Sequence, residues 1–376
     1  MKRNFVASAL CNGQRNFCVA LVAFLVVGFS SCDKIEDVKE DNVYQQIKPK
    51  GPKPSWAPSI TPQMQTVIEA LDTISPIPLE TLSPQQARLQ PTPADAAMRV
   101  MRNYGIPTPP MKVDTMGRKV PVQGGQIHVR IYTPKTGKAL YPVIVYYHGG
   151  GWVIATIDTY NASAQALAEQ VDAIVVSVEY RKGPEFKFPT AHNDSYAAYK
   201  WTLANASLLK GDSTRVAVAG ESAGGNLAIA VSMMARDSGT RKPLHQLAVY
   251  PIANNETNTP SYLKYATAKP LNKPLMEWFF MHYLRTPADG NHPWISLIDD
   301  VANLANLPAT TIIAAEIDPL QSEGKVLADK LTAAKVPTSY KLYLGVTHEF
   351  FGMAAVIPEA KDAQAFAAQR LKEALK

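Results

Sequence analysis

Two glycine-rich segments hold the residues best placed to do chemistry. In Gly220-Glu221-Ser222-Ala223-Gly224 a serine sits between small neighbours, and in His148-Gly149-Gly150-Gly151-Trp152 three glycines run in succession. A serine hydroxyl is a weak nucleophile that needs a base beside it to take its proton. A sharp strand-to-helix turn lifts the hydroxyl clear of the backbone, and glycine on both sides removes the Cβ atoms that would clash there. The chemistry implied is attack on a carbonyl carbon, which leaves negative charge on oxygen. A loop without side chains lets backbone N–H groups approach that oxygen, and such donors contribute factors of about 10² to 10³ each in turnover. The expected donors are Gly149, Gly150 and Ala223.

The flanking sequence supplies the elements these segments need. Val216-Ala217-Val218-Ala219 reads as the strand entering the serine turn, and residues 225–231 read as the helix leaving it. Tyr141-Pro142-Val143-Ile144-Val145-Tyr146-Tyr147 is a buried-strand candidate before the glycine loop. The base and its acid should follow in the order Ser…Asp/Glu…His. Of the histidines after Ser222, His348 stands in a loop just past a last strand at 338–344. His245 lies at the wrong end of a strand, and His282 and His292 fall in a lid-like region. Asp318 is the expected acid, beyond the apolar run 310–315 and pinned by Pro319. Glu316 and Glu323 are its rivals.

Further segments carry a resemblance. Glu179-Tyr180-Arg181-Lys182-Gly183-Pro184-Glu185-Phe186-Lys187-Phe188-Pro189 is similar to a Y-R-L-A-P-E-x-x-F-P stretch. Leu307-Pro308 and Asp318-Pro319-Leu320-Gln321-Ser322-Glu323-Gly324 are similar to L-P-P-A and D-P-L-R-D-E-G. With the two glycine motifs, these make the chain resemble the hormone-sensitive-lipase-like family of bacterial esterases from about Thr61 onward. The resemblance implies an α/β-hydrolase fold, with a mostly parallel central sheet flanked by helices and a helical cap. It implies a triad of Ser222, Asp318 and His348, hydrolysis of short to medium acyl esters through an acyl-enzyme, and no cofactor or metal. The alternatives on the same fold are a non-catalytic small-molecule-binding relative and a peptidase. His348 argues against the first, and the lack of room for a propeller domain argues against the second. The chain departs from the family pattern at Glu349, where a glycine or small residue is usual after the histidine. Trp152 stands where Phe is commoner, Lys182-Gly183 replaces Leu-Ala, and Gln321-Ser322 replaces Arg-Asp. Trp152, beside the oxyanion loop, is the expected pocket residue.

Composition fits a folded globule, with 46% hydrophobic and 19% charged residues in 376. The net charge of +6 makes no case for nucleic-acid binding, since three of the excess positive charges are Lys2, Arg3 and Arg15. Those residues precede an apolar run at 17–29, short of the roughly 18 residues that span a bilayer. Residues 1–31 therefore read as an export signal of lipoprotein type, with Cys32 as the lipidated first residue of an exported, membrane-anchored protein on the periplasmic side or cell surface. Cys11, Cys18 and Cys32 all lie in this leader, so neither a disulfide nor a thiolate metal site is expected beyond it. Charged residues at 33–42, then Pro49, Pro52, Pro54 and Pro58, suggest a flexible tether over 32–60. Cap helices are expected within 61–115, and the catalytic domain over 116–376 with a cap insertion at about 253–295. The expected partners are a small ester substrate, with acetylated sugars a candidate, and a membrane through the lipid anchor.

Overall fold

The computed structural model describes residues 43–376; the expected export signal, Cys32 and the first part of the expected tether lie outside the described residues. Eight strands form one sheet: β1 (Val113–Val122), β2 (Gly125–Pro134), β3 (Tyr141–Tyr147), β4 (Ile174–Glu179), β5 (Gly211–Glu221), β6 (His245–Val249), β7 (Ala309–Ile317) and β8 (Thr338–Thr347). Their order is β1-β2-β4-β3-β5-β6-β7-β8. β1 and β2 pair antiparallel, β2 pairs antiparallel with β4, and all later pairs are parallel. From residue 62 onward the α-helices are α1 (Pro62–Ile74), α2 (Pro84–Ala87), α3 (Pro93–Asn103), α4 (Asn161–Val171), α5 (Thr190–Asn205), α6 (Ala223–Asp237), α7 (Pro260–Lys264), α8 (Lys273–Tyr283), α9 (Gln321–Ala333) and α10 (Pro358–Ala374).

The apolar runs form strands because each must be buried on both faces. In β3 every residue is buried, and alternate side chains serve different cores. Ile144 and Tyr146 join a core with α4 and α10, while Val143, Val145 and Tyr147 join one with α5, α6 and α8. The alternating residues at 117–133 form a hairpin from the β1–β2 pair, with Val120 opposite Ile127. The cap helices expected within 61–115 include α1 and α3. The latter is opened by a capping box between Thr92 and Asp95. Sequence reading did not single out α10. Its buried face is built largely of small residues, Ala360, Ala363, Ala367 and Ala368, which leave a weak periodic signal.

The expected tether needs correction from residue 43 onward. Ile47, Ala57 and Ile60 are fully buried in the α1–α10 core. The Gln65 amide donates to the carbonyls of Gly51 and Pro52, and the Glu69 carboxylate accepts from the N–H groups of Lys50 and Gly51. Prolines and charges gave this segment a linker's composition. Its few apolar side chains nevertheless dock, and its polar backbone finds partners on α1.

The segment after β4 braces the site. The Arg181 guanidinium donates two hydrogen bonds to the Asp194 carboxylate, at 2.8 and 2.6 Å, and the Arg181 N–H donates a third at 3.1 Å. The neighbouring Tyr180 hydroxyl donates to the carbonyl of His148 at 2.8 Å. Asp194 is almost fully buried and Arg181 partly exposed, so loss of the carboxylate removes three hydrogen bonds and the charge partner from this brace. Asp194→Ala is expected to lower unfolding free energy by about 3 kcal/mol, read from the urea midpoint at unchanged m-value.

Candidate active site

The parallel strands deliver the site residues to one end of the sheet. The loop 148–152 follows β3, Ser222 joins β5 to α6, Asp318 follows β7 and His348 follows β8. Ser222 adopts φ 56° and ψ −119°, a conformation that side chains other than glycine rarely take. Its N–H donates to the Val249 carbonyl at 2.9 Å, and its own carbonyl accepts from Asn226 and Ile252. Chain packing around it leaves no space: a Cβ on Gly220 would lie 2.1 Å from the Gly224 carbonyl oxygen, and one on Gly224 would lie 2.0 Å from that of Tyr147. The two glycines of the motif are therefore steric necessities of the turn.

His348 and Asp318 come together as expected. His348 Nδ1 and Asp318 Oδ2 are 2.7 Å apart, and both side chains are buried. Asp318 Oδ1 accepts the Leu320 N–H at 2.9 Å, which fixes the carboxylate plane. Burial alone would lower the His348 pKa. The charge of Asp318 and its hydrogen bond, followed by the charges of Glu349 and Glu221, outweigh burial and leave it raised above 6.5. The rivals are engaged elsewhere. Glu316 accepts from the Gly345 N–H and the Ser59 hydroxyl, and Glu323 accepts from the N–H groups of Ala253 and Asn254. His245 meets Thr311, His282 packs on Trp278, and His292 accepts from the Trp294 N–H.

Ser222 and His348 open onto one cavity of about 450 Å³, which Gly150 and Gly151 also line. Gly149 and Ala223 are not on its wall. Among the described residues, the N–H groups of Gly149, Gly150, Gly151 and Ala223 have no protein acceptor. Gly151 is thus a donor candidate that the sequence reading did not name. His148 is held neutral, its pKa lowered to about 4 by burial. Its ring stacks on Tyr180 at 4.2 Å, and its Nδ1 meets the Gly149 carbonyl. It stiffens the loop.

Trp152 does not line the cavity. Its backbone has φ 59°, and its fully buried indole turns into the core to stack on Tyr283 at 4.9 Å. Phe279 of α8 takes the wall position instead. Its ring packs so closely on Gly151 that a Cβ there would fall 2.2 Å from it. The cap helix was legible in the sequence, but which of its aromatics faces inward was not.

A buried tyrosine–carboxylate network adjoins the base, and the sequence reading missed it. Glu221, which precedes the serine, accepts from Tyr146 at 2.5 Å and from Tyr250. Glu349 accepts from Tyr160 at 2.5 Å and places Oε1 3.8 Å from His348 Nε2. The Tyr250 ring lies 4.5 Å from the His348 ring. Burial, then the charge of Glu349, push the Glu221 pKa up to about 7 against its hydrogen bonds. Burial likewise raises Glu349, with His348 and Tyr160 opposing. The tyrosines come from β3, the loop before α4 and the end of β6, so no local pattern announces the cluster. Only the position of Glu221 inside the serine motif could have pointed to it.

Among the described residues, no group of His, Cys, Asp and Glu could hold a metal ion, and no helix is long and apolar enough to cross a membrane. Glu221 binds its proton more tightly in the folded protein than in the unfolded chain. It therefore contributes stability that is complete below pH 4.5 and is lost as pH rises through about 7. Glu221→Gln is expected to flatten the fall in stability over that window, followed by urea unfolding at several pH values.

Comparison with known proteins places this geometry. A family model described as alpha/beta hydrolase fold matches residues 144–352, more than half of the chain. Carboxylesterase NlhH of Mycobacterium tuberculosis is 38% identical over 251 residues, covering 66% of this chain and 79% of that protein. Ethyl acetate hydrolase of Pseudomonas putida is 32% identical over 256 residues, covering 67% and 80%. The solved structure of a hyperthermophilic esterase from the archaeon Pyrobaculum calidifontis superposes with a TM-score of 0.75 at 33% identity, covering 84% of this chain and 98% of that one.

Proposed function

This chain belongs to the α/β-hydrolase family, in its hormone-sensitive-lipase-like branch of carboxylesterases, and from that premise we propose how its residues divide the work. The protein is a serine carboxylesterase. Ser222 Oγ attacks the ester carbonyl as His348 Nε2 takes its proton. Asp318 holds the histidine tautomer and stabilises the imidazolium. The N–H groups of Gly150, Gly151 and Ala223 receive the oxyanion. Gly151 takes the place expected of Gly149 because Gly151 lines the cavity and Gly149 does not; Ala223 is off the wall too but keeps its place because its N–H directly follows the nucleophile. His348 returns the proton to the leaving alcohol. Water activated by the same imidazole then releases the acid and frees Ser222.

The 2.7 Å contact between His348 and Asp318, beneath a serine held at positive φ on the same cavity, carries this reading. The cavity of about 450 Å³ favours short to medium acyl chains, and the relationship to an ethyl acetate hydrolase supports the short end. Acetylated sugars suit the same volume. The leader, with Cys32 behind an apolar run, supports export as a lipid-anchored protein, with substrate met outside the cytoplasm. Metabolic labelling with a fatty acid, lost in Cys32→Ala, tests the anchor.

Turnover of p-nitrophenyl butyrate tests the assignment. Ser222→Ala is expected to abolish it, and equal rates would reject the nucleophile. Asp318→Asn keeps the shape but allows the wrong tautomer, and should lower kcat by about 10⁴. Because the base must be neutral and its pKa is raised, kcat/KM should fall with acid along a limb centred above pH 6.5.

A further inference from the structure

The charged residues on the cavity wall are unequally compensated. The three cations that line it are already paired: Lys269 with Asp72 at 2.5 Å, Arg88 with Glu185 at 2.7 Å, and Lys182 with Glu179. The two remaining lining carboxylates have no permanent cation beside them, and Glu349 meets one only when His348 is protonated. Among the described residues, Glu80 accepts only from the Asn272 amide, at 3.0 Å, and Glu349 accepts from the Tyr160 hydroxyl. Among the described residues, no lysine or arginine pairs with either. A ligand in this cavity therefore meets surplus negative charge and unused acceptor capacity.

Glu349 is the closer of the two to the chemistry. Its Oε1 lies 3.8 Å from His348 Nε2, the atom that hands a proton to the departing alkoxide. The group beside Nε2 is thus beside the leaving alcohol. Oε1 is occupied by Tyr160, whereas Oε2 accepts no hydrogen bond from any described residue and is not sealed in the interior. A free carboxylate oxygen there can accept from a hydroxyl on the alcohol, and a charge-assisted hydrogen bond of this kind is about twice as strong as a neutral one. The same oxygen repels an anion in a site where little water screens it.

We propose that Glu349 is a specificity-determining residue that selects esters by their leaving alcohol, favouring polyhydroxy alcohols and rejecting alcohols that carry a carboxylate. This rests on the serine-esterase reading of the same site and names the class of alcohol it takes. The backbone of Glu349 sits at φ 72°, where glycine would be at ease. A residue with a side chain holds that conformation at a cost, and the carboxylate it delivers to the cavity is the function that the cost supports.

The experiment compares three acetates of similar size by acetate release in a pH-stat at pH 8: ethyl acetate, 2-hydroxyethyl acetate and acetoxyacetate. In the wild type, kcat/KM for 2-hydroxyethyl acetate should exceed that for acetoxyacetate at least tenfold. Glu349→Gln should narrow that ratio at least fivefold, chiefly through KM for the anion. Each variant supplies its own ratio, so a general loss of activity or of folded protein cancels. Glu349→Gly, which suits the backbone at this position, should narrow the ratio in the same way, and Glu349→Asp should keep it. A ratio unchanged in both neutral variants overturns the proposal. So does a wild type that hydrolyses the anionic and hydroxylated esters equally. Failure to hydrolyse any of the three acetates, or p-nitrophenyl butyrate, would instead overturn the esterase reading.

Discussion

The turn at Ser222 is the constraint on which the rest of the structure depends. A residue with a side chain is held at φ 56° between a strand and a helix, in a region that costs on the order of 1–3 kcal/mol. Nothing within the turn offsets that cost. It is met by the sheet behind it, through the hydrogen bond from the Ser222 N–H to Val249 at the end of β6, and by chain packing so close that Gly220 and Gly224 cannot carry a Cβ. The close contact of Gly224 with the carbonyl of Tyr147 ties the turn to the end of β3, where the oxyanion loop begins. Nucleophile and oxyanion donors are therefore one mechanical unit. A shift in either strand would move both.

The same logic explains the supports around that unit. Tyr180 bonds to the His148 carbonyl, Arg181 is clamped by Asp194, and His148 stays neutral while it stacks on Tyr180. The stretch after β4 that resembles the family pattern is thus a brace under the glycine loop. Its Lys182 reaches the cavity wall, with its charge taken up by Glu179. Preorganised N–H groups are effective only where nothing has to reorganise as charge develops, and this brace supplies the rigidity.

Much of this was legible in the sequence, because a parallel sheet converts chain order into spatial order. Apolar runs ending in a serine motif, an Asp-Pro pair and a histidine loop must deliver those residues to the same sheet edge. Ser222, Asp318 and His348 could be read for that reason. Side-chain direction within a loop follows no such rule. Trp152 adjoins the oxyanion loop in sequence, but a left-handed backbone swings its indole into the core and leaves the wall to Phe279. The segment at 43–60 was misread because composition reports what a chain can do alone. Docking of Ile47, Ala57 and Ile60 depends on a surface that only the folded domain presents. The Tyr146, Tyr160 and Tyr250 network was invisible for a related reason: its members meet only after three separate strands and loops have converged.

Two carboxylates flanking one imidazole pose a problem that the geometry resolves. Asp318 contacts Nδ1 directly, which leaves Nε2 to serve the serine. Were Glu349 to close from 3.8 Å to hydrogen-bonding distance, it would compete for the Nε2 proton and hold the imidazolium away from Ser222 and the leaving group. The Tyr160 hydroxyl donates to the very oxygen that faces the ring and anchors the carboxylate at that distance. Held at that distance, Glu349 still acts on the histidine through space and helps keep its pKa raised, while among the described residues its other oxygen accepts no hydrogen bond and is not sealed in the interior. A tyrosine remote in sequence thus lets a carboxylate stand beside the base without blocking it, and so makes a residue larger than glycine tolerable at position 349.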